Sequence, residues 1–250
     1  MGRQDTVWQD RALVEKFLGG VRAGIPFAAE QVDVMLRVIR ACGRPLRRFA
    51  DVGCGDGALA HAVLDRWPDA QAVLIDFSGP MLEQARKRLR AFGDRVAFVT
   101  GDIATRDWTR GLSQFDAVVS GFCIHHQPDA RKREVYREVY GLLQAGGCFV
   151  HVEHVSSPTA RVEAMHNDLF IDALHAFHAR QGQEKSRETI ARDYVHRPDK
   201  QANLLASVED QCRWLREAGF EHVDCYFKCF ELAVFGGMRP GRTSMSVREA

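Results

Sequence analysis

Residues 49–57, Phe-Ala-Asp-Val-Gly-Cys-Gly-Asp-Gly, constrain the fold of this 250-residue chain more than any other stretch. A short apolar run ends in an acid and passes into glycines on alternate positions. Without a Cβ, such residues take positive φ and let the backbone lie against a ligand at the mouth of a helix starting near Ala58. The spacing is G-x-G-x-G rather than the dinucleotide pattern G-x-G-x-x-G, and no G-K-[ST] follows. The turn therefore reads as a nucleotide-type cradle for neither NAD nor ATP.

The pattern around it extends the constraint. A second strand-like run, Ala72–Ile75, ends in Asp76, where a carboxylate can accept both hydroxyls of a ribose. A third, Val96–Val99, leads to Gly101-Asp102, and a fourth, Phe115–Val119, leads to Ser120-Gly121. With a fifth run at 148–154, these strands alternate with helix-like segments at 58–67, 79–92 and 129–143. Alternation of this kind predicts a parallel α/β sheet with helices on both faces and a ligand beyond its carboxyl edge. Ser207 and Gly219 bracket a further helix at 207–218, and the run 221–236, breaking near Phe230, predicts an antiparallel strand pair at the sheet edge.

This ordered set, over residues 45–155, resembles the class I S-adenosylmethionine (SAM) methyltransferases. The resemblance implies a Rossmann-like, seven-stranded, mostly parallel sheet and SAM as cofactor. It places Asp51, Gly53, Gly55 and Gly57 around the methionine part, Asp76 on the ribose and Phe77 on adenine. Asp102 and Ile103 fall by the adenine amino group, with Ser120 and Gly121 on the methyl-donor side. The turn Leu142–Gly147 is similar to the family's helix end before its fifth strand. The ubiquinone/menaquinone C-methyltransferases are a broader relative. The outer segments are similar to the carboxy-SAM synthases of tRNA wobble-uridine modification, in Arg22–Phe27, in Ala218–His222 and in Tyr226–Phe230. In that family the Ile-Pro-aromatic segment closes over the cofactor, which implies such a role for Ile25, Pro26 and Phe27. The glycine turn departs from the synthase pattern, and so does His196-Arg197-Pro198-Asp199-Lys200, so shared architecture is expected rather than shared activity.

Length and composition fit one domain over 1–250: a helical lid at 7–41, the core at 45–155, a substrate cap at 158–200, a helix and strand pair at 207–236, and a tail at 237–250. A formal net charge of +1 supplies no general basic field, so nucleic acid is not an expected partner. The clusters Arg86–Arg90 and Arg131–Arg133 read as solvated helix faces. Seven cysteines without a C-x-x-C pair, and no transmembrane segment, point to free thiols in a cytoplasmic protein away from membranes. A homodimer is compatible with the sequence.

Methyl transfer needs the acceptor positioned behind the methyl group and, for N–H or O–H acceptors, a place for a proton. The residues able to serve are His125 and His126 after the fourth strand and Glu153 and His154 at the end of the fifth. Strand alternation separates His154 from His151 and Glu153, so Glu153 and one of His125/His126 lead as catalytic groups. In the cap, Asp168, Asp172 and His175 share a helix face, and His175 is expected to line a substrate pocket. Arg197 and Lys200, around Pro198, suit an anionic small-molecule acceptor, with Phe27 closing the same space. A metal built from His125 or His126, Glu153 or His154, and the Asp168/Asp172/His175 face lacks a compact ligand motif and is left out of the expected site. The leading expectation is a SAM-dependent methyltransferase acting on a small, anionic metabolite. The alternatives are an enzyme acting on SAM itself, a metal-assisted methyltransferase, and a regulatory SAM-binding protein without turnover.

Overall fold

The computed structural model describes residues 5–241. Seven strands form one sheet: β1 Arg48–Val52, β2 Gln71–Asp76, β3 Val96–Thr100, β4 Phe115–Gly121, β5 Leu143–His154, β6 Glu221–Cys229 and β7 Leu232–Met238. Their order is β3-β2-β1-β4-β5-β7-β6. The first five run parallel, whereas β7 is antiparallel to both β5 and β6. The reversal follows from the tight turn at Phe230-Glu231, where Phe230 takes φ 51°. The strand order reverses between β1 and β4, and their carboxyl ends open a crevice there.

The central strands read as unbroken apolar runs because they are covered on both faces. Phe49, Leu74, Val119 and Val150 pack under three helices, α2 Ala28–Ala41, α3 Ala58–Arg66 and α4 Gly79–Leu89. Ala50, Ile75, Val118 and Phe149 point the other way, against α5 Asp129–Leu142 and α9 Val208–Glu217. The caps follow the residues: Ser78 and Ser207 side chains accept from Met81 N and Asp210 N at 3.2 and 3.0 Å, starting α4 and α9.

Two helical segments lie over the carboxyl edge. At the amino end a 3₁₀ turn, Asp5–Gln9, precedes α1 Arg11–Gly19. The cap holds α6 Ala160–Arg180, α7 Arg187–Val195 and α8 Pro198–Gln201. Phe170, Ile171, Leu174, Ile190 and Tyr194 form a small core of their own, to which Val21 and Ile25 add. Of the tail, 237–238 complete β7, and 242–250 lie outside the described residues.

Candidate functional site

The glycine turn takes the backbone form its composition predicts, with φ of 65°, 53° and 78° at Gly53, Gly55 and Gly57. Gly55 N donates to Asp76 Oδ2 and Ser78 N to Oδ1, each at 2.8 Å, so Asp76 is fixed at the end of β2 with accepting capacity left on both oxygens. Burial pushes its carboxyl up to about 6, against the pull of those two N–H groups.

A cavity opens over this turn, bordered by Gly53, Gly55, Asp76, Phe77, Ile103 and Gly121, with Met81, Trp8, Phe17 and Arg22. These residues suit an adenosine-bearing amino acid: a carboxylate for ribose hydroxyls, an aromatic ring, and a bare backbone at Gly55 where a side chain would fill the cradle. Four residues expected there do not border the cavity. Asp51 instead accepts Ala60 N at 3.1 Å and anchors the first turn of α3, and burial pushes it up to about 7. Gly57 sits where a Cβ would lie 2.9 Å from Leu89 and 3.3 Å from Leu74, so it serves helix–sheet packing. Ser120 is fully buried and its hydroxyl donates to Val52 O at 2.8 Å, tying β4 to β1. Asp102 accepts Ala104 N at 2.9 Å and shapes the turn after β3.

A second cavity abuts the first and shares Trp8, Phe17, Phe122 and His126 with it. His125, His154, Phe170, Tyr194, Arg197, Asn203 and Leu232 form the remainder of its wall, together with Val21, Ile25 and Asp199. At the seam Phe122 holds φ 49°, an uncommon value for an aromatic residue.

The four expected catalytic groups meet here in different capacities. Glu153 is fully buried behind His125, with Oε1 2.5 Å from His125 Nδ1 and Oε2 accepting His125 N at 3.1 Å. His151 Nε2 lies 2.8 Å from Oε2, out of hydrogen-bond alignment. Burial alone would raise the Glu153 carboxyl, but the imidazoles of His125 and His151 outweigh it and hold it well below the usual range. Glu153 is thus an ionised orienter of His125 rather than a cavity wall. His126 is tied at both ring nitrogens: Nε2 accepts Trp8 Nε1 at 3.0 Å and Nδ1 donates to Ala202 O at 3.2 Å. Burial, then His125, keeps it neutral, well below the ordinary imidazole value. His126 therefore fastens the amino-terminal turn, whose Trp8 O also accepts Ser78 Oγ at 2.5 Å and whose Asp5 accepts Gln127 at 3.1 Å. His154 Nε2 donates to Glu231 Oε2 at 2.7 Å.

Three expectations for the substrate side are corrected. Asp168 and Asp172 both pair with Arg187, the latter at 2.7 Å, and His175 is exposed beside them, so that helix face meets solvent. Lys200 donates to Asn167 at 2.9 Å and lies over the Tyr194 ring, away from the cavity wall. Phe27 is 39% exposed and packs on Phe227, so Ile25, not Phe27, faces the second cavity. Arg197 does border it, over the Tyr194 ring and 3.5 Å from Asp199, while its Nε and Nη1 are buried without hydrogen-bond partners. Cys54 in the turn is raised well above an ordinary thiol by burial and stays protonated.

Trp8, Phe17, Arg22 and Asn203, which border the cavities, and Glu231, which holds His154, were not anticipated as site residues. Arg22 had a signal, a cation just before the Gly-Ile-Pro segment; the others depend on which chain segments fold over the sheet edge.

Residues 49–147 match a family model described as a methyltransferase domain. Over 236 residues the chain is 25% identical to the carboxy-S-adenosyl-L-methionine synthase of Klebsiella pneumoniae, covering 93% of this chain and 91% of that protein. The Salmonella typhimurium synthase matches to the same degree, at 25% over 236 residues. Among solved structures, an O-methyltransferase family protein from Burkholderia thailandensis superposes with a TM-score of 0.61 at 17% identity, over 95% of this chain and 64% of that one. PigF, solved with SAH, gives a TM-score of 0.61 at 19% identity, over 95% of this chain and 62% of that one. The chain thus spans less than two thirds of these solved chains, and their likeness carries the fold. No helix among the described residues is long and apolar enough to cross a membrane. Cradle, strand order and matching domain agree: residues 49–147 are similar to a methyltransferase domain, on the fold of the SAM-dependent methyltransferases.

Proposed function

We propose that the chain transfers the methyl group of SAM to a small anionic metabolite held in the second cavity. The observation carrying this reading is the junction of two cavities through Trp8, Phe17, Phe122 and His126, with His125, held by Glu153, in the wall of the second. When bound, SAM supplies an electrophilic methyl on its sulfonium, open to in-line attack by an acceptor lone pair.

The chain's own residues supply the rest. Asp76 accepts the ribose hydroxyls, and Arg22, beside Gly55 and Asp56, offers a cation to the amino-acid carboxylate. With Nδ1 committed to ionised Glu153, His125 keeps its lone pair on Nε2 and takes the acceptor's proton there. Glu153 fixes that tautomer and stabilises the imidazolium formed. Arg197, with two unpartnered nitrogens at the wall, grips a carboxylate or phosphate on the acceptor. Trp8, Phe17 and Phe122 exclude water between the cavities.

A second reading is favoured by the match to carboxy-SAM synthases along 93% of the chain: an enzyme that acts on SAM itself. Incubation with SAM and either a panel of anionic metabolites or prephenate, followed by mass spectrometry, separates the two. Methyl transfer predicts a methylated acceptor with equal S-adenosylhomocysteine. A SAM-derived product of higher mass, formed only with prephenate, overturns it in favour of the synthase reading.

A further inference from the structure

The end of β5, the middle of α6 and the β6–β7 turn meet at one buried point. In the antiparallel β5–β7 register His154 stands opposite Leu232, which brings the preceding Glu231 against the histidine. Glu231 Oε2 lies 2.7 Å from His154 Nε2 and 3.5 Å from His166 Nε2. One donor atom from each residue falls within 4.8 Å of the other two. Donor atoms bound at usual N/O distances to one tetrahedral or octahedral ion are separated by roughly 2.8–3.6 Å. The cluster is close to that spacing.

A hydrogen bond from His154 to Glu231 explains two of the three residues. It does not explain His166, whose side chain is fully buried with neither ring nitrogen hydrogen-bonded. A buried imidazole without partners is costly, and ligation through a lone pair removes that cost. The surroundings fit. The Asn203 amide lies 3.4 Å from His154 Nδ1, and turned to present its oxygen it would accept Nδ1–H and leave Nε2 to a metal. His154 and Asn203 both border the second cavity, so an ion there is reachable by a ligand in that space.

We propose that His154, His166 and Glu231 form a two-histidine, one-carboxylate site for a divalent first-row transition metal, with coordination positions open toward the second cavity. Mixed imidazole and carboxylate donors select Mn, Fe, Co or Zn over Mg or Ca. The ion would bind an oxygen-bearing group of the acceptor and orient it beside His125. That role rests on the acceptor reading of the second cavity; the site itself does not.

Chelator-stripped full-length protein, titrated with Co²⁺ and followed by visible absorption and calorimetry, tests the site. The expected result is one ion per chain, with affinity weakened ~10-fold or more in both His166→Ala and Glu231→Gln. X-ray absorption on the wild-type Co²⁺ protein should show two imidazoles and needs no variant to fold. Absence of Co²⁺ uptake by the wild type, unchanged affinity in both variants, or a spectrum without imidazole scattering each overturns the proposal. SAM titration of the same stripped protein reports separately on the cofactor cavity, so failure of one assignment is distinguishable from failure of the other.

Discussion

At the scale of single residues, position in the hydrogen-bond network decides role more than residue type does. Asp76 holds two backbone N–H groups and faces the cofactor cavity. Asp76→Ala should weaken SAM binding by roughly 1.5–3 kcal/mol in calorimetry, because a charged acceptor of hydroxyl bonds is lost. Its acidity sets a pH dependence. Burial raises the free carboxyl to about 6, and ribose hydroxyls favour the charged form, so SAM affinity should be full above pH 6 and decline as pH falls through that value. Asp76→Asn should flatten the profile; an equal decline in that variant would assign the effect elsewhere. Of the histidines, His125 alone combines a carboxylate on Nδ1 with a place on the second cavity wall. His125→Ala should lower turnover by ~10²–10⁴-fold, and Glu153→Gln should follow in the same direction, both with SAM affinity near the parent. Parallel loss of SAM binding would make the pair structural. The carboxylate at the strand end and the paired histidines were legible in sequence, but the division between His125 and His126 was not. It is set by Trp8, more than a hundred residues away.

At the scale of elements, the strand–turn–helix unit from β1 to α3 was readable because its signals are local: apolar run, acid, glycines, helix. Within it, Gly57 and Asp51 do not border the cavity, because the same residue types also serve packing and capping around α3. The cap helix shows the opposite limit. Its polar stripe Asp168/Asp172/His175 has helical spacing, yet Arg187 from α7 claims both acids on the solvent side. Because those pairs are exposed, Arg187→Ala should change stability by no more than about 1 kcal/mol and leave kinetics untouched. The amino-terminal turn behaves differently. Trp8, bonded to His126 and Ser78 and bordering both cavities, should matter to ligand retention. Trp8→Ala is expected to weaken SAM binding by about 1–3 kcal/mol and to increase hydrogen exchange over residues 5–19, whereas unchanged exchange would deny the turn a closing role.

At the scale of the molecule, the sheet and its cap assemble two adjoining cavities from different parts of the chain. β1, β2 and β4 end at the cofactor cavity, while β5 and the β6–β7 turn, with the cap, build the second one. Sequence order predicted the first half because consecutive βα units repeat one geometry. The second half escaped it because Glu231, His166 and Asn203 gather around His154 only through the antiparallel return of β7 and the fold-back of α6, neither of which leaves a local motif. In the proposed function, the reactive end of SAM faces the seam between the cavities. A crystal structure with S-adenosylhomocysteine tests it most directly. The ribose hydroxyls should lie on Asp76, and the sulfur at the Phe122–His126 seam, directed toward His125. Ligand sulfur turned away from that seam, or a ligand seated outside the glycine turn, would contradict it.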